Sequence, residues 1–239
     1  MTARRGMCGL AAGLVLTGIL MGAATSARAD FRFSRMGARP KALGSAFVSL
    51  ADDANAAYWN PAGLVRDDRT SLMLTNAWLY GVSDLTNTYL AVDLPRIGGV
   101  HLGASWVRLG IKDIYYEDTV NLALGVKMPF LDGLSLGVTG KMFLLAAPGY
   151  EQYNDPNYNG GDQGYSFDVG ALYDSGGAWS LGATLYNGIE TELQLLESTS
   201  SPDPIFTEWA AGGSYLFRET LLVTADFRNR EGEWNNIVM

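Results

Sequence analysis

Cysteine and histidine are nearly absent: the 239 residues hold one of each, Cys8 and His101. That scarcity excludes most His/Cys metal centres and most histidine-based catalytic triads. Charge is thin as well, at 18% of residues, and it leans acidic, with 25 Asp and Glu against 17 Lys and Arg. A chain without a basic footprint is not expected to bind nucleic acid. HExxH and the phosphate-binding glycine loop are missing, so no enzyme, no cofactor and no metal site is expected. The Asp/Asn-rich stretch from Glu151 to Asp162 lacks EF-hand spacing. Beyond residue 29 no run of about 20 apolar residues occurs, the length a membrane-crossing helix needs. What the chain does have is 48% hydrophobic residues and 29 glycines, enough apolar content for one domain with a substantial core.

Residues 1–29 read as a cleaved signal peptide. Arg4 and Arg5 form the positive start, Gly9 to Met21 the apolar stretch, and Ala27-Arg28-Ala29 the small-x-small cleavage site. The leader holds three arginines, no acid and the only cysteine, so its removal takes the net charge from −8 to −11 and leaves no thiol. The mature chain is expected to be exported and to depend on packing and hydrogen bonds rather than disulfides.

From about residue 70 onward the apolar residues recur with period two. Leu90, Val92 and Leu94 alternate with Tyr89, Ala91 and Asp93. Leu102, Ala104 and Trp106 alternate with His101, Gly103 and Ser105. The same pattern runs through Val120–Met128, Leu134–Met142, Tyr165–Tyr173, Trp179–Leu185, Trp209–Phe217 and Leu221–Phe227, and Glu233–Met239 looks like the start of another segment. Such alternation means strands with one apolar and one small or polar face. It predicts about ten strands of roughly 9–11 residues, the length that spans a bilayer at a tilt.

Connector lengths sort by end. Pro95–Gly99, Pro129–Gly133, Ser175–Gly177 and Arg218–Glu219 are short, while Leu109–Asp118, Ala146–Gln163 and Gly188–Phe206 are longer; Tyr80–Leu85 and Asn229–Gly232 are shorter but fall in the long-loop phase. Outer-membrane barrels sort their periplasmic turns and external loops in this way; a soluble sandwich of long strands gives no reason for it. Trp78, Trp106, Trp179, Trp209 and Trp234 fall near strand ends, as an interfacial aromatic girdle requires. Residues 70–239 are therefore expected to form an antiparallel transmembrane β-barrel. Because Ile237-Val238-Met239 lies within an apparent strand, the expectation is a barrel incomplete at its C-terminus, or ten strands that close by themselves.

Residues 30–69 do not alternate. Small residues dominate there, matching the small inward positions Gly103, Gly125, Gly137, Gly170 and Gly182, which together suggest a plug. Asp52 or Asp53 is expected to cap a short helix from Ala54 to Trp59 that Asn60-Pro61 ends. The run Gly37…Ala42-Leu43-Gly44…Leu50-Ala51-Asp52-Asp53-Ala54…Tyr58-Trp59-Asn60-Pro61-Ala62-Gly63-Leu64 resembles the hatch signature of the FadL-type outer-membrane transporters, and most of all their PorV/PorQ-like branch. The resemblance covers about 30 residues and implies a 14-stranded barrel with an N-terminal hatch. On the family pattern, Asp52, Asp53, Asn60 and Pro61 hold the hatch, and Gly37, Gly44, Tyr58, Trp59 and Gly63 belong to it.

Three functions follow as expectations. A FadL-type protein would pass hydrophobic small molecules across the outer membrane of a Gram-negative-type bacterium, with lipid as its surroundings. His101, Phe143, Leu172, Tyr186, Leu216 and Leu222 are candidates to line its lumen. A PorV-like protein would instead bind the C-terminal signal domains of type IX secreted proteins, using external loops such as Ala146–Gln163 with Tyr150, Tyr153 and Tyr158. The third possibility is a purely structural barrel. For nucleophilic chemistry His101 has only the inward serines Ser105 and Ser135 near it, and it is read as a polar contact to the hatch.

Overall fold

The computed structural model describes residues 35–158, 160–196, 202–230 and 237–238. The expected leader and Trp234 lie outside the described residues. The fold is all-β and antiparallel. Ten strands follow one another across a single sheet: β1 (Ser71–Trp78), β2 (Leu85–Ile97), β3 (Val100–Ile111), β4 (Tyr115–Lys127), β5 (Leu134–Ala146), β6 (Asp162–Asp174), β7 (Trp179–Tyr186), β10 (Glu208–Phe217), β11 (Leu221–Arg230) and β12 (Ile237–Val238). Within the long β7–β10 connection, β8 (Thr191–Leu193) and β9 (Asp203–Ile205) pair as a separate hairpin. Among the described residues β1 and β12 mark the two margins, and no strand joins them. No helix among them is long and apolar enough to cross a membrane.

The alternating sequence explains the sheet and sets its two faces. Cross-strand register lines the outward residues into rows. One row runs Leu74, Leu90, Trp106, Val120, Met142, Tyr165, and the next runs Leu72, Val92, Ala104, Leu122, Gly140, Phe167. The third runs Leu94, Leu102, Leu124, Val138, Val169, Leu185, Trp209. Many of these side chains are exposed; Leu72 is 70% and Leu122 67% accessible. The opposite face is buried although it is polar: Ser105, Asn121, Thr139, Lys141, Asp168, Thr184, Glu208, Asp226 and Arg228 are all buried. Soluble sheets place these polarities the other way round.

What covers the polar face is the N-terminal segment. It contains α1 (Ala38–Ala42), α2 (Ala56–Trp59) and a 3-10 helix from Pro61 to Arg66. Phe47, Leu50, Ala51, Ala56, Ala57, Trp59, Leu64 and Ala123 form its main apolar cluster. The sheet curls around this segment. The Tyr89 ring on β2 packs 5.9 Å from the Tyr58 ring, while Tyr186 on β7 hydrogen-bonds the carbonyl of the very next residue, Trp59. In a flat sheet, five strand spacings would separate β2 from β7 by about 24 Å.

Glycine makes the close seat possible. Gly125, Gly137 and Gly170 are direct cross-strand neighbours on β4, β5 and β6. A Cβ on Gly137 would come within 2.3 Å of the Pro61 carbonyl carbon, and one on Gly170 within 2.1 Å of Asn60 Oδ1. Backbone cannot yield as a flexible side chain does. Gly137→Ala is therefore expected to cost about 1–3 kcal/mol, read as a lowered thermal midpoint of the purified protein. An unchanged midpoint would mean that Pro61 is not seated there.

Candidate functional site

Asn60 ties the N-terminal segment to the sheet. Its Nδ2 donates to the Val48 carbonyl at 2.8 Å and to the Ala171 carbonyl of β6 at 3.1 Å, while its Oδ1 accepts from the Ala62 N–H at 3.1 Å. An extended backbone supplies that acceptor position, and Pro61 follows as the first residue of the 3-10 helix, where a missing N–H costs nothing. On the other side, Asp226 of β11 accepts from the N–H groups of Phe47 (2.9 Å) and Val48 (3.0 Å), and the Thr224 hydroxyl donates to the Ala46 carbonyl at 3.0 Å. Arg66 ends the segment by pairing with Asp174 at 2.8 Å and donating to the Ser49 carbonyl at 3.1 Å.

Between these anchors lies a buried cluster of charge. Glu208 Oε1 pairs with Arg35 and, at 3.4 Å, with Arg228. Arg228 also reaches Asp226 Oδ2 at 3.0 Å and the Ser45 carbonyl at 2.9 Å. Lys141 pairs with Asp168 at 2.9 Å and donates to Asn187 Oδ1 at 3.0 Å. The three cations surround one ring: Arg35, Lys141 and Arg228 stand 5.8, 5.6 and 6.0 Å from the Tyr186 centroid. Arg35 and Arg228 also stand 5.6 and 5.3 Å from Trp59. Three acids balance three cations, which is how buried charge is kept. Burial acts most strongly on Arg35 and would lower its pKa; the Glu208 carboxylate, together with Tyr186 and Tyr58, more than offsets it and holds the pKa above the ordinary value. Burial pushes the Tyr58 phenol up to about 12, so the ring beside this cluster stays neutral at physiological pH.

Toward the long loops the inward rows change character. The row Ser105, Asn121, Lys141, Ser166 is polar. The next row runs Tyr89, Val107, Thr119, Phe143, Gly164, and the one beyond it Asn87, Leu109, Glu117, Leu145, Asp162. Leu193 of β8 and Ile205 of β9 are buried as well. The β8–β9 hairpin lies over this end: a Cβ on Gly164, the cross-strand partner of Phe143, would meet Thr191 at 2.2 Å and Leu193 at 3.3 Å. Ser166 Oγ donates to the Ile189 carbonyl at 2.8 Å and Asn187 Nδ2 to the Phe206 carbonyl at 3.1 Å, which tie the hairpin down. At this end the inner side thus carries apolar side chains interspersed with polar ones, and the polar row beside it shares Lys141 with the charged cluster.

The residues singled out from sequence fall in different places. Trp59 Nε1 donates to the Met36 carbonyl at 2.8 Å. Gly37 has a φ of 96° and packs on Asn55; Gly44 (φ 62°) is exposed; Gly63 lies so close to the Ala51 carbonyl that no Cβ fits. Asp52 and Asp53 both pair with Arg39, whose pKa rises through the Asp52 hydrogen bond. They do not cap the helix. It spans Ala56–Trp59 with Asn55 at its N-cap and no side-chain capping bond, because Asp53 Oδ1 is taken by the Asn55 N–H and amide in a tight local turn. His101 is buried, with Nε2 3.7 Å from Asp68, and the Ser105 hydroxyl accepts from Asn121.

Phe143, Leu172 and Tyr186 are buried on the inner side; Leu222 packs against the Phe47–Leu64 cluster. Leu216, its cross-strand partner, is 38% exposed near the β10–β11 turn. Sequence reasoning did not single out Arg35, Lys141, Asp168, Glu208, Asp226 and Arg228. Charged residues at inward strand positions were the available signal. Comparison with family models and with curated proteins finds no match for this chain.

Proposed function

We propose that this chain is an outer-membrane β-barrel protein of the FadL/PorV type, with the N-terminal segment as its hatch, and that it passes hydrophobic small molecules across that membrane. The observation that carries this reading is the inverted polarity of the sheet: an exposed apolar outside and a buried, charged inside. Hydrocarbon accepts the first, and a plugged interior accepts the second. The buried apolar side chains gathered at this end, Val107, Leu109, Phe143, Leu145, Leu193 and Ile205, support an apolar cargo, since such a solute gains by leaving water for contact with them. The role is non-enzymatic on this reading.

A PorV-like secretion role is the second reading, favoured by one feature. On the Pro148–Tyr153 helix and its loop, the Tyr150 ring lies 5.3 Å from Tyr153 and 5.5 Å from Tyr158, an aromatic knob with Tyr153 largely exposed. Tyrosines of this kind make rigid contact area for a protein partner. Purification from native membranes separates the two. Copurifying lipid or alkane is the expected result; a stoichiometric secreted protein would transfer the assignment to secretion. Steady, large conductance of the intact protein in a planar bilayer would defeat the plugged barrel altogether.

A further inference from the structure

The apolar outer face ends abruptly on its long-loop side. The outward row beyond Leu74, Leu90, Trp106, Val120, Met142 and Tyr165 reads Asn76, Thr88, Arg108, Asp118, Leu144, Gln163. One register step replaces a hydrocarbon row by a hydrogen-bonding belt. Within it the Thr88 hydroxyl donates to Asn76 Oδ1 at 2.7 Å, and Arg108 Nε donates to Asp118 Oδ1 at 2.7 Å. The two ends of that pair are not equally placed. The Asp118 side chain is 5% accessible and that of Arg108 43%, so the carboxylate lies beneath and the belt presents a cation outward. The guanidinium is held against two rings, 5.2 Å from Trp106 and 4.5 Å from Tyr116.

We propose that Arg108, fixed by Asp118, Trp106 and Tyr116, is a binding site for the phosphate of an anionic lipid headgroup at the edge of the apolar band. This rests on the membrane reading of the outer face. The buried carboxylate takes Nε and Nη2 of the guanidinium, which leaves the Nη1 edge of this partly exposed side chain to a phosphate. A planar fork pre-oriented in this way suits a phosphate, which accepts paired N–H donors. The aromatic rings sit where the acyl chains of the same lipid begin, as interfacial Trp and Tyr do. Charge complementarity selects an anionic headgroup over a zwitterionic one.

The test uses the full chain in vesicles of phosphatidylcholine with or without phosphatidylglycerol. Insertion is read by heat-modifiability on gels, and bound lipid by native mass spectrometry of the extracted protein. Wild type is expected to retain phosphatidylglycerol in preference to phosphatidylcholine. Arg108→Gln is expected to lower that retention about fivefold, the weight of one basic residue near an anionic surface. Asp118→Asn is expected to raise it, because the guanidinium keeps its full charge. A pair that only braces the sheet would make both variants less stable and leave lipid preference unmoved; that result overturns the site while insertion still stands. Failure of the wild type to insert would overturn the membrane reading and the site with it.

Discussion

Glu208→Gln is expected to destabilise the protein by about 3–5 kcal/mol, the cost of breaking a buried ion pair from one side. The side chain keeps its shape and loses its charge, so the loss is electrostatic rather than a matter of packing. Glu208 is buried, and its Oε1 is shared by Arg35 from the N-terminal segment and Arg228 from β11. Arg228 keeps Asp226 at 3.0 Å after the change. For Arg35, Glu208 is the carboxylate that offsets burial, and without it two guanidinium groups stack around Trp59 and Tyr186 with too little negative charge. The second change Arg35→Met should then recover a large part of the loss, because it removes the orphaned cation and leaves an apolar chain over the Trp59 ring. A double-mutant cycle on thermal unfolding checks this. If the two losses simply add, the pair is not coupled and the cluster does not hold the segment.

Which parts of this arrangement could be read from the residues follows from the range of the interactions. Period two is local, so the strands and their outward faces were legible: Leu122, Leu124 and Val138 stand on the exposed face that alternation assigned. Small inward residues were legible too, because Gly125, Gly137 and Gly170 share the parity that puts them under Pro61. The ion cluster was not legible. Arg35 and Glu208 are 173 residues apart in sequence, and parity says that a charge points inward without saying what it meets. The β8–β9 hairpin was hidden for another reason: three-residue strands show no alternation, and Pro204 sits inside one of them. The helix cap failed on local competition. Both Asp52 and Asp53 had the right chemistry, but Arg39 and the Asn55 N–H take them.

The outer face makes the sharper test of what surrounds the protein, because the sign of the effect depends on the solvent. Leu122 lies in the second of at least three fully apolar rows, and its cross-strand neighbours are Ala104 and Gly140. Leu122→Arg puts a guanidinium there with no carboxylate in either adjacent position of the row. In lipid the charge must leave hydrocarbon or drag water in, at about 2–4 kcal/mol near the midplane. In water the same change would remove an exposed apolar side chain and leave stability within the small range of ordinary surface substitutions. The expected result is a lower folded fraction in phosphatidylcholine vesicles, read by heat-modifiability, with Thr139→Ser on the buried face as a control that changes no charge. Because Leu122 touches neither the N-terminal segment nor the ion cluster on the opposite face, a loss of folding at this position reports on the surroundings alone. An unchanged or improved folded fraction would place the apolar face against protein or water, and the N-terminal segment would then be the core of a different kind of sheet.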